Sequence, residues 1–251
     1  MLERIEHGAI LELRLARPPA NALSPGMIGA LREALEELGD DVRGLVLSGR
    51  EGMFSGGLDV PEFMKIDRSA VRQAWVDFFA VMQMLAESPR PTACAITGHA
   101  PAGGCVLAVF CDWRVMAEGE FRIGLNEVQV GLPVPDPIYA AIAHVVGSRQ
   151  AERMCATAQL FGTEEALRIG LVDELCPIEE VIPRALAWIE MLGKLPQQAL
   201  NRTRALARRS LAEPFERLDE ETLERFVDEW FGDETQGAMQ ALVDRLAQKS
   251  G

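Results

Sequence analysis

The chain has 251 residues, 48% hydrophobic and 25% charged, enough apolar material for one large domain with a core of its own. Its 25 basic residues against 38 acidic ones leave a formal net charge of −13, which opposes non-specific attachment to nucleic acid or to an anionic membrane. No signal-peptide pattern opens the chain and no apolar run approaches the roughly 18 residues that span a bilayer, so the expected location is the cytoplasm or an organelle matrix.

Residues 9–15 alternate apolar and charged side chains with period two, the pattern of a half-buried strand. Ser24-Pro25 then supplies a cap and a favourable first helical residue; Met27, Ile28, Leu31, Leu35 and Leu38 follow at helical spacing up to Gly39. A short apolar strand is expected over 44–48, a glycine loop over 49–57, and a long amphipathic helix over 71–87 that stops at Ser88-Pro89. Residues 92–97 read as a second buried strand leading into the loop Gly98 to Gly104, 112–116 as a third, and 121–131 as a strand running into a loop. Helices are expected at 135–146, 148–157 and 163–169, the last two capped by Ser148 and Thr163, with a final strand over 171–175. Strand and helix alternate, which predicts an α/β core.

Beyond Pro177 strand signals cease, and helices are expected at 179–192, 197–210, 213–231 and 233–248. The division expected is a core over 1–192 and a helical region over 193–251. The last two helices carry a stripe with Leu218, Leu223, Phe226, Val227, Trp230, Phe231, Met239, Leu242 and Leu246 that must be buried on the core or on another subunit. The five cysteines, Cys94, Cys105, Cys111, Cys155 and Cys176, form no C-x-x-C pair and are odd in number. Neither a disulfide framework nor a zinc site is expected of them, only buried thiols.

Two segments share one shape, a buried strand running into a glycine-rich turn: 45–48 into Ser55-Gly56-Gly57-Leu58-Asp59, and 94–97 into Gly98-His99-Ala100-Pro101-Ala102-Gly103-Gly104. Glycine lets a backbone approach a ligand closely, and two such loops facing each other would present N–H groups to a developing oxyanion. Tight turns with no ligand are the competing reading. Neither loop fits the phosphate-loop or dinucleotide pattern, and G-x-S-x-G is absent.

Phe54-Ser-Gly-Gly-Leu-Asp59, Gly98 through Cys105, Cys111-Asp112 and Ile123-Gly-Leu-Asn-Glu-Val-Gln-Val-Gly131 resemble, in order and spacing, the crotonase (enoyl-CoA hydratase/isomerase) superfamily. The resemblance continues through 147–152 and 161–173 and covers nearly the whole chain. Within the superfamily, Pro101-Ala-Gly-Gly-Cys105 and Gly-Leu-Asn-Glu-x-Gln look most like mitochondrial-type delta-3,delta-2-enoyl-CoA isomerases. It implies a spiral of β-β-α turns with a C-terminal helical trimerisation region, an acyl-CoA thioester as substrate, and a homotrimer or dimer of trimers. It also implies no metal and no redox cofactor, coenzyme A being part of the substrate. Carried over by position, the backbone N–H groups of Leu58 and Gly103 hold the thioester oxygen, with Gly56, Gly57, Ala102 and Gly104 around them.

Hydratases of the superfamily use two glutamates, and this sequence departs at the first: where G-G-G-C-E would put one, Ala102-Gly-Gly-Cys-Val106 puts Val106. Glu127 matches the second and is the expected base, with Val106 and Leu132 as pocket wall. Water addition with one carboxylate missing should lose about 10²–10⁴-fold, whereas one carboxylate suffices to move a proton from C2 of a 3-enoyl-CoA to C4. The expected activity is therefore double-bond migration as in fatty acid β-oxidation. The alternatives are a hydratase or another crotonase-type lyase or hydrolase, or a non-catalytic acyl-CoA-binding relative.

Asn126 either orients Glu127 or serves the turn. Asp59 is read as the cap of a helix beginning at Pro61 rather than as an acid, and Asp136 as the second-choice acid. His99 is placed at the surface or near coenzyme A, His7 and His144 are read as structural, and Tyr139 as packing. Phe231, Arg245 and Lys249 are candidates to meet the acyl chain and the coenzyme A phosphates across a subunit boundary, a solvated face being the alternative for the last two.

Overall fold

In a computed structural model of the chain, residues 1–250 are described, 249 and 250 by backbone alone. The alternating segment forms β2 (Ile10–Leu15), and ahead of it lies an unexpected antiparallel partner, β1 (Leu2–His7). After α1 (Pro25–Glu36), capped by Ser24 as expected, the chain runs through β3 (Gly44–Ser48), β4 (Gly52–Met53), the single turn α2 (Val60–Phe63) and the long α3 (Arg68–Ala86). A second pass gives β5 (Thr92–Ile96), β6 (Gly98–Pro101) and α4 (Gly103–Val109); a third gives β7 (Trp113–Ala117), β8 (Arg122–Gly124) and a 3-10 turn at Glu127–Val130. Then come α5 (Asp136–Val146), α6 (Ser148–Thr157), β9 (Phe161–Gly162), α7 (Thr163–Arg168), β10 (Glu174–Cys176) and α8 (Val181–Gly193). Helices α9 (Gln197–Ala207), α10 (Arg209–Ala212), α11 (Glu220–Trp230) and α12 (Asp233–Ser250) close the chain.

Each pass places one strand in each of two sheets. The larger has the order β1-β2-β3-β5-β7-β10, parallel throughout except for the β1–β2 hairpin; the smaller has the order β4-β6-β8-β9. Strands β3 and β5 are buried along their whole length, in keeping with their largely apolar sequences, and their polar ends Ser48 and Thr92 are hydrogen-bonded to Glu12 and Asp112. One face of the larger sheet packs on α8 through Val46, Ala93, Val115, Val181, Ala185 and Ile189, while the other joins the main core. The smaller sheet brings backbones so close that a Cβ on Gly98 would collide with Gly52, which explains a glycine in that strand.

Ser148 and Thr163 stand one position inside their helices instead of capping them; Gly147 and Gly162 hold the cap positions, and the Thr163 hydroxyl donates to Gly119 O at 3.2 Å. The expected helices 197–210 and 213–231 are each interrupted. The first breaks at Arg208, and the second splits into a 3-10 segment Glu213–Arg217 and α11, which Asp219 caps by accepting from Thr222 N at 2.9 Å. Arg204 and Arg208, both buried, point inward: with Thr92 they surround Asp112, and Arg208 also donates to Leu85 O, Ala86 O and Phe110 O.

Most of the tail stripe is buried within its own chain, while Phe231 and Leu246 stay exposed. Leu223, Phe226, Val227, Trp230 and Met239 belong to the same core cluster as Trp75 and Phe63. Phe226 meets Trp75 edge-on at 4.6 Å between ring centroids, and Trp230 lies 5.4 Å from Phe63. Most of the stripe is thus covered without a second subunit, so the apolar surface left for an intersubunit contact is smaller than the sequence pattern implies. No helix among the described residues is long and apolar enough to cross a membrane.

Candidate active site

The first glycine loop is tied down bond by bond. Phe54 N and Ser55 N donate to His99 O at 3.0 and 3.2 Å, Gly56 N to Ala20 O at 2.8 Å, Gly57 N to Ser55 Oγ at 3.2 Å, and Asp59 N to Leu23 O at 3.1 Å. Among the described residues, Leu58 is the only position between Met53 and Val60 whose N–H finds no protein acceptor. Leu23 and Leu58 form a parallel bridge, with Leu23 bonded to Gly57 O and Asp59 N, so the Leu58 N–H points away from that segment. Asp59 caps α2 by accepting from Glu62 N at 3.0 Å and is held by Arg17 at 2.6 Å, in agreement with its reading as a cap.

The second loop supplies a similar group. Gly103 is the first residue of α4, and its N–H likewise has no protein acceptor among the described residues, as expected in a first helical turn. Ala102 before it has φ +48° and ψ −121°, a backbone region that strains a residue bearing a Cβ. The Ala102 N–H donates to Gly124 O at 2.8 Å, and this bond to β8 holds the turn in place.

Both loops border a cavity of about 200 Å³. Its lining includes seven of the nine residues expected in the site: Gly56, Leu58, Ala102, Gly103, Val106, Glu127 and Leu132. Gly57 and Gly104 do not line it. They lie behind the wall, where Gly57 has φ +85° and a Cβ on Gly104 would stand 2.7 Å from Ser55 O, so their contribution is close backbone approach. Apart from Asn126, the rest of the wall is apolar and includes Val60, Trp75, Phe78, Val130 and Ile138, with Phe226, Trp230, Leu242 and Leu246 from the tail. A larger open groove, lined by charged residues of both signs, Glu3, Arg14, Arg50, Glu51 and Glu179 among them, shares none of these residues.

Glu127 opens the 3-10 turn after β8, and Asn126 precedes it. The residue as a whole is partly exposed, but its Oε2 is shut off from solvent and has no hydrogen-bond partner; the same holds for Asn126 Oδ1. Burial pushes the Glu127 carboxyl up to about 7 against a smaller opposing effect of the Glu127 and Asn126 backbone. A carboxyl with one oxygen unpartnered in a largely apolar cavity is costly for the fold and suited to taking and returning a proton.

Other candidates fall outside the cavity. Asp136 lines a separate cleft with Arg217 and Arg225. His99 accepts from Arg122 N and stacks edge-on with Phe121, His7 pairs with the buried Glu12, and His144 contacts Ser210. Tyr139 lies at the surface rather than in packing, and Phe231 is exposed beside the buried Trp230. The Lys249 side chain lies outside the described residues, and Arg245 does not line the cavity. All five cysteines are buried, as expected. The aromatic wall from α3 and α11 was not assigned to the site by sequence; its only signal was the stripe itself.

The fold is a spiral of paired strands that sets two backbone N–H groups without protein acceptors and the Glu127 carboxyl beside one largely apolar cavity. The chain belongs to the enoyl-CoA hydratase/isomerase, or crotonase, family, whose description matches residues 5–248. It is 32% identical over 243 residues to the human mitochondrial enoyl-CoA delta isomerase 1, covering 95% of this chain and 80% of that protein. A probable enoyl-CoA hydratase of Mycobacterium avium is 33% identical over 195 residues, covering 77% of this chain and 76% of its own length. The crystal structure of human mitochondrial delta3-delta2-enoyl-CoA isomerase superposes with a TM-score of 0.93 at 30% identity, over 100% of this chain and 99% of that one.

Proposed function

We propose that this crotonase-family enzyme is an enoyl-CoA isomerase that converts 3-enoyl-CoA to 2-trans-enoyl-CoA, as in fatty acid β-oxidation. The observation that carries this reading is that Glu127 is the only titratable side chain among the described residues lining the cavity. In the proposed reaction the Glu127 carboxylate takes a proton from C2, and the electron pair of that C–H bond delocalises onto the thioester oxygen. Leu58 N–H and Gly103 N–H hold the resulting dienolate, each donor lowering the barrier by about 3–4 kcal/mol. The protonated Glu127 then delivers the proton to C4, leaving the double bond between C2 and C3. A carboxyl with a pKa of about 7 serves both steps near neutral pH. The reading calls for no metal and no redox cofactor.

Hydration is the second reading, favoured by the similarity to the M. avium protein named as a probable hydratase. Against it stands Val106, a buried cavity residue where the two-glutamate pattern has its other carboxylate. Assaying the protein with 3-hexenoyl-CoA and 2-hexenoyl-CoA side by side separates the two: isomerisation of the first should exceed hydration of the second. Faster hydration would overturn the assignment. Assembly as a homotrimer or a dimer of trimers belongs to the same proposal and rests mainly on the family resemblance; light scattering that gives a monomer at micromolar concentration would remove it.

A further inference from the structure

We propose that Asn21 is a positioning residue for the Leu58 N–H. This rests on the reading of that N–H as a thioester donor. Asn21 is 1% exposed and holds φ +47°, a conformation that asparagine and glycine adopt most readily. Its Nδ2 donates to Met53 O at 2.8 Å and to Phe54 O at 3.2 Å, and its Oδ1 accepts from Arg17 N at 2.9 Å. Its own carbonyl accepts from Ser55 Oγ at 2.9 Å, and that same Oγ accepts from Gly57 N at 3.2 Å.

One residue thus holds the carbonyls at the entry of the loop and, through Ser55, the amide immediately before Leu58. Its neighbours Ala20 and Leu23 take Gly56 N, Gly57 O and Asp59 N. With both sides of Leu58 fixed, the direction of its free N–H follows from the Asn21 network and from no contact of the Leu58 N–H itself. A shift of about 1 Å in such a donor costs on the order of 10²-fold in turnover. Asn21 lines no part of the cavity, so its influence is through the loop.

Asn21→Gly keeps the backbone conformation while removing the amide, and Asn21→Asp keeps the shape while removing the two N–H donors; Ser55→Ala cuts the same network at its other end. We expect kcat on 3-hexenoyl-CoA to fall by about 10–100-fold in each folded variant, with KM changed by less than about threefold. The pH profile set by Glu127 should not move. A readout independent of turnover is the Leu58 amide resonance during titration with saturated hexanoyl-CoA, which should shift in the wild type and shift far less in the variants. Folded variants with kcat within about twofold of wild type, or with a wild-type Leu58 response, would overturn the proposal. If the wild type fails to isomerise but its Leu58 amide responds to hexanoyl-CoA and loses that response in Asn21→Gly, the isomerase assignment falls and the positioning role stands. A wild-type Leu58 amide blind to hexanoyl-CoA removes both.

Discussion

Gly57 lies backbone to backbone against Gly103: a Cβ on Gly57 would stand 3.2 Å from the Gly103 nitrogen and 2.8 Å from the Ala102 methyl. With φ +85°, Gly57 is also in a region that strains any residue with a side chain. Gly57→Ala should therefore strain its own loop and force the two loops apart. The expected loss is about 1–3 kcal/mol of stability and, in the folded fraction, at least about 10²-fold in kcat on 3-enoyl-CoA. Thermal unfolding and kinetics normalised to folded protein measure the two effects separately.

The Glu127 carboxyl titrates near 7 in the folded protein and near 4.5 when unfolded, so the folded state binds the proton more tightly. Stability from this group is present below about pH 4.5, falls as the pH rises through that window, and levels off above about 7. Glu127→Gln should consequently stabilise the protein at pH 8 by about 3 kcal/mol and have little effect at pH 4. Denaturant unfolding at the two pH values checks the sign. In the wild type, kcat/KM for isomerisation should rise with pH through about 7 as the base ionises.

Asp112 accepts from Thr92, Arg204 and Arg208, and the arginines pull its carboxyl below the usual carboxylate range despite burial. Removing the carboxylate leaves two buried guanidinium groups without their counter-charge. Asp112→Ala should cost about 3–5 kcal/mol, measured by denaturant unfolding, and should loosen α9 and α10 first in hydrogen exchange.

Val106 is 1% exposed and lines the cavity with Glu127. Val106→Glu should introduce measurable hydration of crotonyl-CoA at a cost in stability. It should also push the Glu127 titration higher, because two carboxyls in one apolar cavity oppose each other's ionisation. A pH–rate profile of the variant reads that shift.

The sequence made legible what depends on neighbours in the chain. The period-two pattern of 9–15, the Ser24-Pro25 helix start and the glycine loops each appear where local pattern places them. Strand β1 was not legible because Leu2-Glu-Arg-Ile-Glu-His7 has apolar residues three apart and becomes a strand only through pairing with β2. The same holds for β4, β6 and β9, two to four residues each, whose parallel or antiparallel partners are distant in sequence. Periodicity shows that Phe226 and Trp230 must be buried; it does not show against what, and the answer, Trp75 and the cavity wall, is tertiary. Asn21 was passed over because its bonds run to Met53 and Phe54, more than thirty positions away.

The most direct test of a one-carboxylate mechanism is Glu127→Gln assayed on 3-hexenoyl-CoA alongside calorimetric binding of saturated hexanoyl-CoA. The amide keeps the shape of the side chain and cannot take the C2 proton, while the backbone donors proposed to hold the thioester are untouched. Isomerisation should fall by at least about 10²–10⁴-fold with binding nearly unchanged; a variant that binds hexanoyl-CoA normally and still isomerises at the wild-type rate would contradict the assignment of Glu127 as the base.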